Sequence, residues 1–261
     1  MGSPLVICEK IDESIVKLTL NRPEASNALS TELVMELTDT LDQIKKLDSV
    51  RCIILTGAGK KVFCAGADLK ERLSMSETEV PFAVAKIGCL TSKIAGMPMP
   101  VVASLNGVAY GGGLEIALAC DIRLASHSTQ IGLTETGLGI IPGAGGTQRL
   151  PRLIGEGNTK NMILRAKRIT AKEAYRIGLF QEIYSAEELE EMTYKVSREI
   201  SHNAPIAVTQ AKMAISEGMQ VSIKEALEIE TACYKATIPT SDRVEGLLAF
   251  QEKRPPIYKG K

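Results

Sequence analysis

The chain has no tryptophan and few aromatic side chains of any kind, since phenylalanine, tyrosine and tryptophan together make up 4% of its 261 residues. No cluster of aromatic residues stands out on which nucleobases could stack, so one common signature of single-stranded nucleic-acid binding is missing. Histidine, the most common metal ligand, is also scarce, with 2 residues. The sequence therefore predicts no metal site.

An excess of charge of either sign is also lacking. Lysine and arginine total 31, and aspartate and glutamate total 31, so no net field attracts nucleic acid or an anionic membrane. No apolar run approaches the roughly 20 residues that a membrane-spanning helix needs. The N-terminal residues also lack a charged stretch followed by a long hydrophobic segment. We therefore expect no membrane association and a cytoplasmic location.

The six cysteines include no Cys-x-x-Cys pair, which argues against a zinc ribbon or a thioredoxin-like redox motif. They lie far apart and mostly within apolar runs. The pattern predicts reduced, buried thiols, as in a cytosolic protein. These residues are Cys8, Cys52, Cys64, Cys89, Cys120 and Cys233.

What the sequence does contain is an α/β pattern followed by helices. Runs at 14–21, 51–57 and 100–107 are typical of strands, and 31–48 has helical spacing. From about residue 157 onward helical patterns dominate, with one short strand-like run at 180–185. We predict an α/β core over residues 1–195 and a helical C-terminal region over 196–261.

Three consecutive glycines, Gly111 to Gly113, directly precede an apolar helical run in "VAYGGGLEIALACDIR". Close packing of the backbone against a neighbouring element would explain them. Alternatively, bare N–H groups at a helix N-terminus form a site for negative charge, which suits a phosphate or the enolate oxygen of a thioester. A second loop, "VFCAGADLKE" (62–71), could supply another N–H group, although Asp68 there also suits an ordinary helix N-cap.

Other glycine-rich stretches do not match nucleotide-binding motifs. "TGAGKK" (56–61) lacks the spacing and the final Ser or Thr of a P-loop. "GAGGTQ" (143–148) lacks the last glycine of the dinucleotide-binding fingerprint. These two stretches therefore give little support to phosphate transfer or dinucleotide binding as the function.

Two glutamates accompany the glycines. Glu115 lies in the first turn after the triplet among apolar residues, and Glu135 lies in a second glycine-rich segment, 132–150. Glu115 could simply stabilise the helix dipole, and Glu135 could be a solvated turn residue. Desolvation would instead hold Glu115 close to a useful acid/base pKa. Two carboxylates beside an oxyanion hole would suit the addition of water to an activated double bond.

Four separated stretches, "FCAGADLKE", "NGVAYGGGLEIALACDIRLAS", "GLGIIPGAGGTQRLPRLIG" and "DRVEGLLAFQEKRPP", resemble the enoyl-CoA hydratase (crotonase) family in order and spacing. The resemblance covers nearly the whole chain. It implies a spiral of ββα units followed by helices that pack a homotrimer, often paired into a homohexamer. It also implies an acyl-CoA thioester substrate, with coenzyme A carried by the substrate and no separate cofactor.

Matching the motifs position by position assigns the oxyanion hole to the amides of Ala67 and Gly112, and the two catalytic carboxylates to Glu115 and Glu135. Which glutamate is acid and which is base stays open. Lys253 in "EKRPP" also has an ordinary explanation, as a solvated surface group. The positions that the resemblance implies for CoA contact are Ala65, Ala67, Asp68, Leu69, Phe250 and Lys253.

Retention of both glutamates favours a hydratase, because family members that isomerise or hydrolyse usually replace one. Within the family, "AGADLKER" and "ACYKATIPTSDRVEGLLAFQEKRPP" resemble the branch that hydrates 3-methylglutaconyl-CoA in leucine degradation. The choice between this substrate and a short-chain enoyl-CoA is open. Isomerase and hydrolase activities and an inactive scaffold are the alternatives.

One member of that branch binds RNA through a lysine-rich early helix. In this chain the helix carries mainly acidic side chains, which repel phosphate. RNA binding is therefore not expected. The acidic residues are Glu32, Glu36, Asp39 and Asp42, against Lys45 and Lys46.

Overall fold

A computed structural model describes residues 3–261. Its strands are β1 (Val6–Lys10), β2 (Ile15–Leu20), β3 (Cys52–Gly57), β4 (Val62–Cys64), β5 (Val101–Leu105), β6 (Val108–Tyr110), β7 (Ile122–Ser126), β8 (Gln130–Gly132), β9 (Ile169–Thr170) and β10 (Glu182–Tyr184). Its α-helices are α1 (Thr31–Ile44), α2 (Leu69–Leu73), α3 (Val80–Ala95), α4 (Gly112–Ala119), α5 (Gly146–Ile163), α6 (Ala171–Arg176), α7 (Leu189–Ser201), α8 (Pro205–Gly218), α9 (Ile223–Thr237) and α10 (Ser241–Glu252).

The strands form two sheets. The larger has the order β1-β2-β3-β5-β7-β10 and the smaller the order β4-β6-β8-β9. Pairing is parallel except between β1 and β2 and between β8 and β9. Three times, a strand of the larger sheet is followed by a strand of the smaller sheet and then by a helix: β3-β4-α2, β5-β6-α4 and β7-β8-α5. This is the spiral of ββα units that the resemblance implies.

The sequence pattern explains the long elements. Every residue of β5 is buried, as expected for a central strand covered on both faces. In α1 the buried positions recur every three or four residues, and the Ser30 side chain caps the helix by accepting the Leu33 N–H. α1 ends at Ile44, four residues before the end of the predicted helix at 48.

Of the short strands of the smaller sheet, β6, β8 and β9 were not predicted from the sequence, whereas β4 matches the strand end expected at the start of "VFCAGADLKE" (62–71). β6 and β8 have 3 residues each, too few for a periodic pattern to stand out. The predicted strands at 14–21, 51–57, 100–107 and 180–185 correspond to β2, β3, β5 and β10. These matches and the helices after residue 157 confirm the α/β fold class.

The C-terminal helices differ in how they pack. The buried face of α7 lies on the outer side of the larger sheet, where Leu189 contacts a cluster that includes Ile15 and Ile54. α8 and α9 pack mainly against each other, and α10 packs sparsely against its own chain. The predicted division at 195/196 lies within α7 and stays a prediction. None of the helices within residues 3–261 is long and apolar enough to cross a membrane.

All six cysteines are free thiols, as predicted. Four are buried, but Cys8 and Cys89 are exposed, which corrects the prediction for these two. Cys8 lies on β1, whose last three residues are exposed, and Cys89 lies on the solvent side of α3. Their apolar neighbours face inward while these two side chains face outward.

Candidate active site

The three glycines at the start of α4 each serve a different purpose. Gly111 has a φ of 49°, in the left-handed region that favours glycine. A Cβ atom at Gly113 would lie 2.2 Å from the carbonyl oxygen of Cys64, so only glycine lets α4 approach β4 this closely. A Cβ at Gly112 would lie 3.6 Å from the amide nitrogen of Ala67. Close packing thus explains Gly113, while Gly112 faces the second predicted loop.

The amide N–H groups of Ala67 and Gly112 lie close together, and both lack a hydrogen-bond acceptor within the described residues. Within residues 3–261 neither N–H donates to a backbone or side-chain acceptor. Gly112 is the first residue of α4 and is buried, and the first N–H groups of a helix have no acceptor within the helix. Two free donors beside a helix N-terminus favour negative charge at this point.

The Ala67 loop is held by contacts from the chain before α1. The Leu29 N–H donates to the Gly66 carbonyl at 2.8 Å, and the Asp68 N–H donates to the Leu29 carbonyl at 3.2 Å. Both Nη atoms of Arg22 lie 3.1 Å from Oδ2 of Asp68. Asp68 Oδ1 accepts the N–H groups of Lys70 and Glu71 and so caps α2. The Asp68 carboxylate is thereby engaged in positioning the loop.

Glu115 lies in the first turn of α4 with 3% of its surface exposed. Its Oε1 accepts the N–H groups of Ala144 and Gly146, each at 2.8 Å. Burial raises the pKa of this carboxyl, opposed by those two N–H groups and by the charge of Arg149. The two N–H groups orient Oε1 and stabilise the carboxylate form.

The loop that donates to Glu115 is fixed by two residues that sequence reasoning missed. The fully buried Thr91 donates its hydroxyl to the Ala144 carbonyl at 2.8 Å. Nη1 of Arg149 donates to the same carbonyl at 3.1 Å. Both contacts therefore position the loop whose Ala144 and Gly146 N–H groups bind Glu115.

Glu135 begins a short 3-10 helix, Glu135–Leu138, after β8. Its Oε2 is buried and has no hydrogen-bond partner within residues 3–261. Burial, aided by the negative charge of Glu115, raises the pKa of Glu135 to about 7. A Cβ at Gly111 would lie 3.2 Å from Oε1 of Glu135, so the missing side chain leaves room for this carboxyl at the entrance of α4.

These positions give the site two unlike carboxyl groups beside two free amide donors. Burial raises the pKa of both, but two N–H groups oppose this shift at Glu115, whereas the pKa of Glu135 is raised to about 7 and its Oε2 has no partner within residues 3–261. Such a pair can take up a proton at one atom and release a proton at another. The amides can stabilise an oxygen on which negative charge develops.

The remaining predicted residues lie in two places. Ala65 and Leu69 are exposed on either side of the Ala67 loop. Phe250 is 87% exposed near the end of α10, and Lys253 follows that helix with a φ of 55°. The structure of one chain shows no contact between these two residues and the glutamates, and their role stays a prediction. Within residues 3–261 no three His, Cys, Asp or Glu side chains lie close enough together to hold a metal ion.

The enoyl-CoA hydratase/isomerase family model matches residues 10–261, and the chain belongs to this family. The human mitochondrial methylglutaconyl-CoA hydratase is 47% identical over 256 residues, which cover 97% of this chain and 76% of that protein. The human mitochondrial enoyl-CoA hydratase domain-containing protein 2 is 45% identical over 254 residues, covering 96% and 87% of the two chains.

A crystal structure of an enoyl-CoA hydratase from Bacillus anthracis superimposes with a TM-score of 0.98 at 48% identity, covering 99% of this chain and 100% of that one. The crotonase-like fold predicted from the sequence is confirmed by this match. The protein is accordingly an enzyme of a family that acts on acyl-CoA thioesters.

Proposed function

We propose that this enzyme adds water across the 2,3 double bond of a 2-enoyl-CoA thioester. The observation that carries the proposal is the convergence of Glu115, Glu135 and the free amides of Ala67 and Gly112 around the glycine entrance of α4. Hydration needs a base for water, an acid for the α-carbon and a site for the enolate oxygen. The four groups can fill these three roles.

The amides of Ala67 and Gly112 would hold the thioester oxygen. As water adds to C3, negative charge moves through C2 and C1 onto that oxygen. Two preorganised donors at the N-terminus of α4 stabilise the charge without reorganising, and one such donor contributes about 10²–10³ in rate. Neither donor has to give up a hydrogen bond within the described residues to do so.

The environments of the two glutamates suggest their roles. Glu115, stabilised as a carboxylate by two N–H groups, takes a proton from water while the water oxygen bonds to C3. Glu135, whose raised pKa of about 7 favours the neutral form below neutral pH, gives its proton to C2. The π electrons of the double bond form the new C2–H bond. Transfer of the proton from Glu115 to Glu135 through solvent restores the starting state.

Binding of the CoA portion is proposed at the exposed rim of the site. Ala65, Ala67 and Leu69 lie on the loop beside Gly112, and Asp68 orients that loop through Arg22. Phe250, near the end of α10, and Lys253, directly after it, are accessible and would reach the CoA of a neighbouring subunit in a homotrimer or homohexamer. Coenzyme A arrives with the substrate, and we propose no separate cofactor.

The proposed substrate is a short-chain or branched enoyl-CoA, with 3-methylglutaconyl-CoA as the candidate favoured by the 47% identity to a methylglutaconyl-CoA hydratase. We also propose a cytoplasmic location, which the free thiols support because such thiols persist in reducing compartments. RNA binding is not proposed.

The experiment is to follow loss of the conjugated enoyl-thioester absorbance with crotonyl-CoA and with 3-methylglutaconyl-CoA. Glu115→Gln and Glu135→Gln should each lower kcat by about 10²–10⁴. Glu182→Gln, at an exposed position on β10, is the matched control and should leave turnover unchanged. Full activity in a folded Glu115→Gln or Glu135→Gln variant would refute the mechanism. Isomerisation or hydrolysis of the thioester without hydration would refute the proposed activity.

A further inference from the structure

The guanidinium of Arg149 lies at the N-terminal end of α5, where a positive charge is unfavourable. Arg149 is in the first turns of this helix, and its side chain folds back toward the helix start, so that a Cβ atom at Gly145 would lie 2.0 Å from its Nη1. The free N–H groups at a helix N-terminus carry partial positive charge and disfavour a cation. The helix dipole therefore does not explain why a cation is held here.

An ion pair does not explain the position of Arg149 either. Within residues 3–261 no carboxylate oxygen lies within 4 Å of its guanidinium. Its Nη1 donates to two neutral acceptors, the Ala144 carbonyl at 3.1 Å and the Thr91 hydroxyl at 3.3 Å. The side chain is half-buried, so solvent and salt screen its charge less than at the surface. This charge can therefore act on groups close by.

Glu115 lies on the other side of the same loop residue. Its Oε1 accepts the Ala144 N–H at 2.8 Å, while Arg149 donates to the Ala144 carbonyl, so a single residue separates the two charged groups. The positive charge of Arg149 lowers the pKa of Glu115, against the effect of burial. The charge that acts on Glu135 is instead that of Glu115, which raises its pKa. Arg149 thus acts on one of the two glutamates and makes them unlike.

The other titratable groups on the elements packed against α4 do not supply such a charge. These elements are α3, α5, β4 and β6. On β4 and at the end of α4, burial raises the pKa of the Cys64 and Cys120 thiols to about 12, so both are neutral. On β6, the Tyr110 hydroxyl donates to Oε1 of Gln130. The remaining groups are exposed or, for Lys93, paired with Asp42: Lys86, Cys89 and Lys93 on α3, and Arg152, Glu156 and Lys160 on α5.

We propose that Arg149 is a positioning residue whose charge keeps Glu115 in the carboxylate form that the reaction needs in its base. The inference rests on the proposed function for the role of Glu115 and deepens it, since it names the group that distinguishes the two carboxyls. Thr91 orients the Ala144 carbonyl without adding charge. Arg149 binds the same carbonyl and also supplies the cation.

The test compares Arg149→Lys, which keeps the charge, with Arg149→Gln, which keeps an N–H donor without the charge. Ionisation of Glu115 is followed by the infrared absorbance of protonated carboxyl groups, as the difference between each protein and the same protein carrying Glu115→Gln. In Arg149→Gln the titration of Glu115 should move to higher pH by about one unit, because a nearby opposite charge favours the ionised form. Arg149→Lys should move it less. Arg152→Gln, at an exposed position of the same helix, should leave it unchanged.

The kinetic readout should follow the same order. In Arg149→Gln the acidic limb of kcat/KM for crotonyl-CoA should move to higher pH, since Glu115 is then protonated over a wider range. Arg149→Lys should retain most of the wild-type profile, and Arg152→Gln all of it. A lower rate with an unmoved acidic limb would show that Arg149 acts only on the shape of the loop, and the proposed role of its charge would be wrong.

The infrared titration needs no turnover, so this proposal and the proposed function can fail separately. If the wild type hydrates no enoyl-CoA but Glu115 titrates at higher pH in Arg149→Gln than in Arg149→Lys, the effect of Arg149 on Glu115 stands and the hydratase activity is refuted. Equal shifts in the two variants would show that the charge is not what acts. An unmoved titration in a folded Arg149→Gln variant overturns the proposal, whether or not the enzyme hydrates crotonyl-CoA.

Discussion

Glu115 and Glu135 carry the same functional group, yet their surroundings differ at the level of single hydrogen bonds. Glu115 is the more buried of the two, but two N–H groups stabilise its anion. Glu135 has a buried oxygen without a partner within the described residues, and the charge of Glu115 nearby also favours its neutral form. Ionisation of Glu115 therefore opposes ionisation of Glu135, whose pKa is raised to about 7.

This coupling predicts a bell-shaped dependence of kcat/KM on pH. The proposed reaction needs Glu135 protonated, so activity should fall as pH rises through about 7, where this carboxyl ionises. It also needs Glu115 ionised, so activity should fall again toward acid. Initial rates with crotonyl-CoA across pH 5–9 measure both limbs. Activity that rises steadily through pH 7 to a plateau would reverse the assigned roles.

The raised pKa of Glu135 also predicts a pH-dependent cost in stability. A carboxyl whose pKa is higher in the folded state than in the unfolded state stabilises the fold while it is protonated. This contribution is complete below the unfolded-state pKa and is lost as the pH rises through the folded-state pKa. The window therefore runs from about 4.5 to about 7. The glutamine in Glu135→Gln does not ionise. The free energy of unfolding of this variant should therefore increase relative to wild type across this window, and the difference should then stay constant.

The expected gain at pH 8 relative to pH 4.5 is about 1–2 kcal/mol in the free energy of unfolding, after allowance for the solvent that still reaches the side chain. Urea unfolding at a fixed protomer concentration measures it, since assembly contributes to the apparent stability. Glu182→Gln, at an exposed site, is the control. A gain that is equal at both pH values would show that Glu135 is not destabilised by ionisation.

At the scale of elements, the close approach of α4 to β4 depends on Gly113. Gly113→Ala places a Cβ 2.2 Å from the Cys64 carbonyl oxygen, and backbone cannot move aside as a flexible side chain can. We expect a loss of at least about 2 kcal/mol in stability, measured by urea unfolding. Gly157→Ala, in α5 with no atom within 4 Å of the new Cβ, should be neutral or stabilising by up to about 1 kcal/mol.

The loop that holds Glu115 gives a second prediction at this scale. Thr91→Val removes the hydroxyl that binds the Ala144 carbonyl and should loosen the two N–H groups that stabilise the Glu115 carboxylate. Because those bonds lower the pKa of Glu115, the acidic limb of the kcat/KM profile should move to higher pH. Thr231→Val, exposed on α9, is the control. A lower rate with an unmoved acidic limb would contradict this positioning role.

Helices and strands that contain a long apolar run or apolar periodicity were predictable from the sequence. Contacts between segments that are distant along the chain were not. β3, β5, α8 and α9 follow from apolar runs bounded by glycine or proline. The glycines and both glutamates were found because they lie within short motifs. Thr91 and Arg149, whose side chains meet across 58 positions, carry no local signal. The same holds for Arg22 and Asp68, which lie 46 positions apart.

At the scale of the whole molecule, the C-terminal helices leave much apolar surface uncovered. α8 and α9 pack on each other, and large side chains on α9 and α10 face outward, including Ile223 at 77%, Leu247 at 62% and Phe250 at 87% exposure. Several large exposed apolar side chains on neighbouring helices are typical of an interaction surface. Since the proposed CoA contacts Phe250 and Lys253 lie at the C-terminal end of α10, assembly and substrate binding should be coupled.

Leu247→Lys tests this coupling by placing a charge on the outward face of α10. If copies of the chain meet there, burial of the lysine is costly, and sedimentation should show wild-type trimers or hexamers but smaller species for the variant. Its KM for crotonyl-CoA should rise, because the neighbour no longer supplies Phe250 and Lys253. Leu47→Lys, an equivalent change at a 49% exposed site outside these helices, should alter neither. A wild-type monomer with full activity would show that one chain completes the site by itself, and the roles of Phe250 and Lys253 would then have to lie within the same chain.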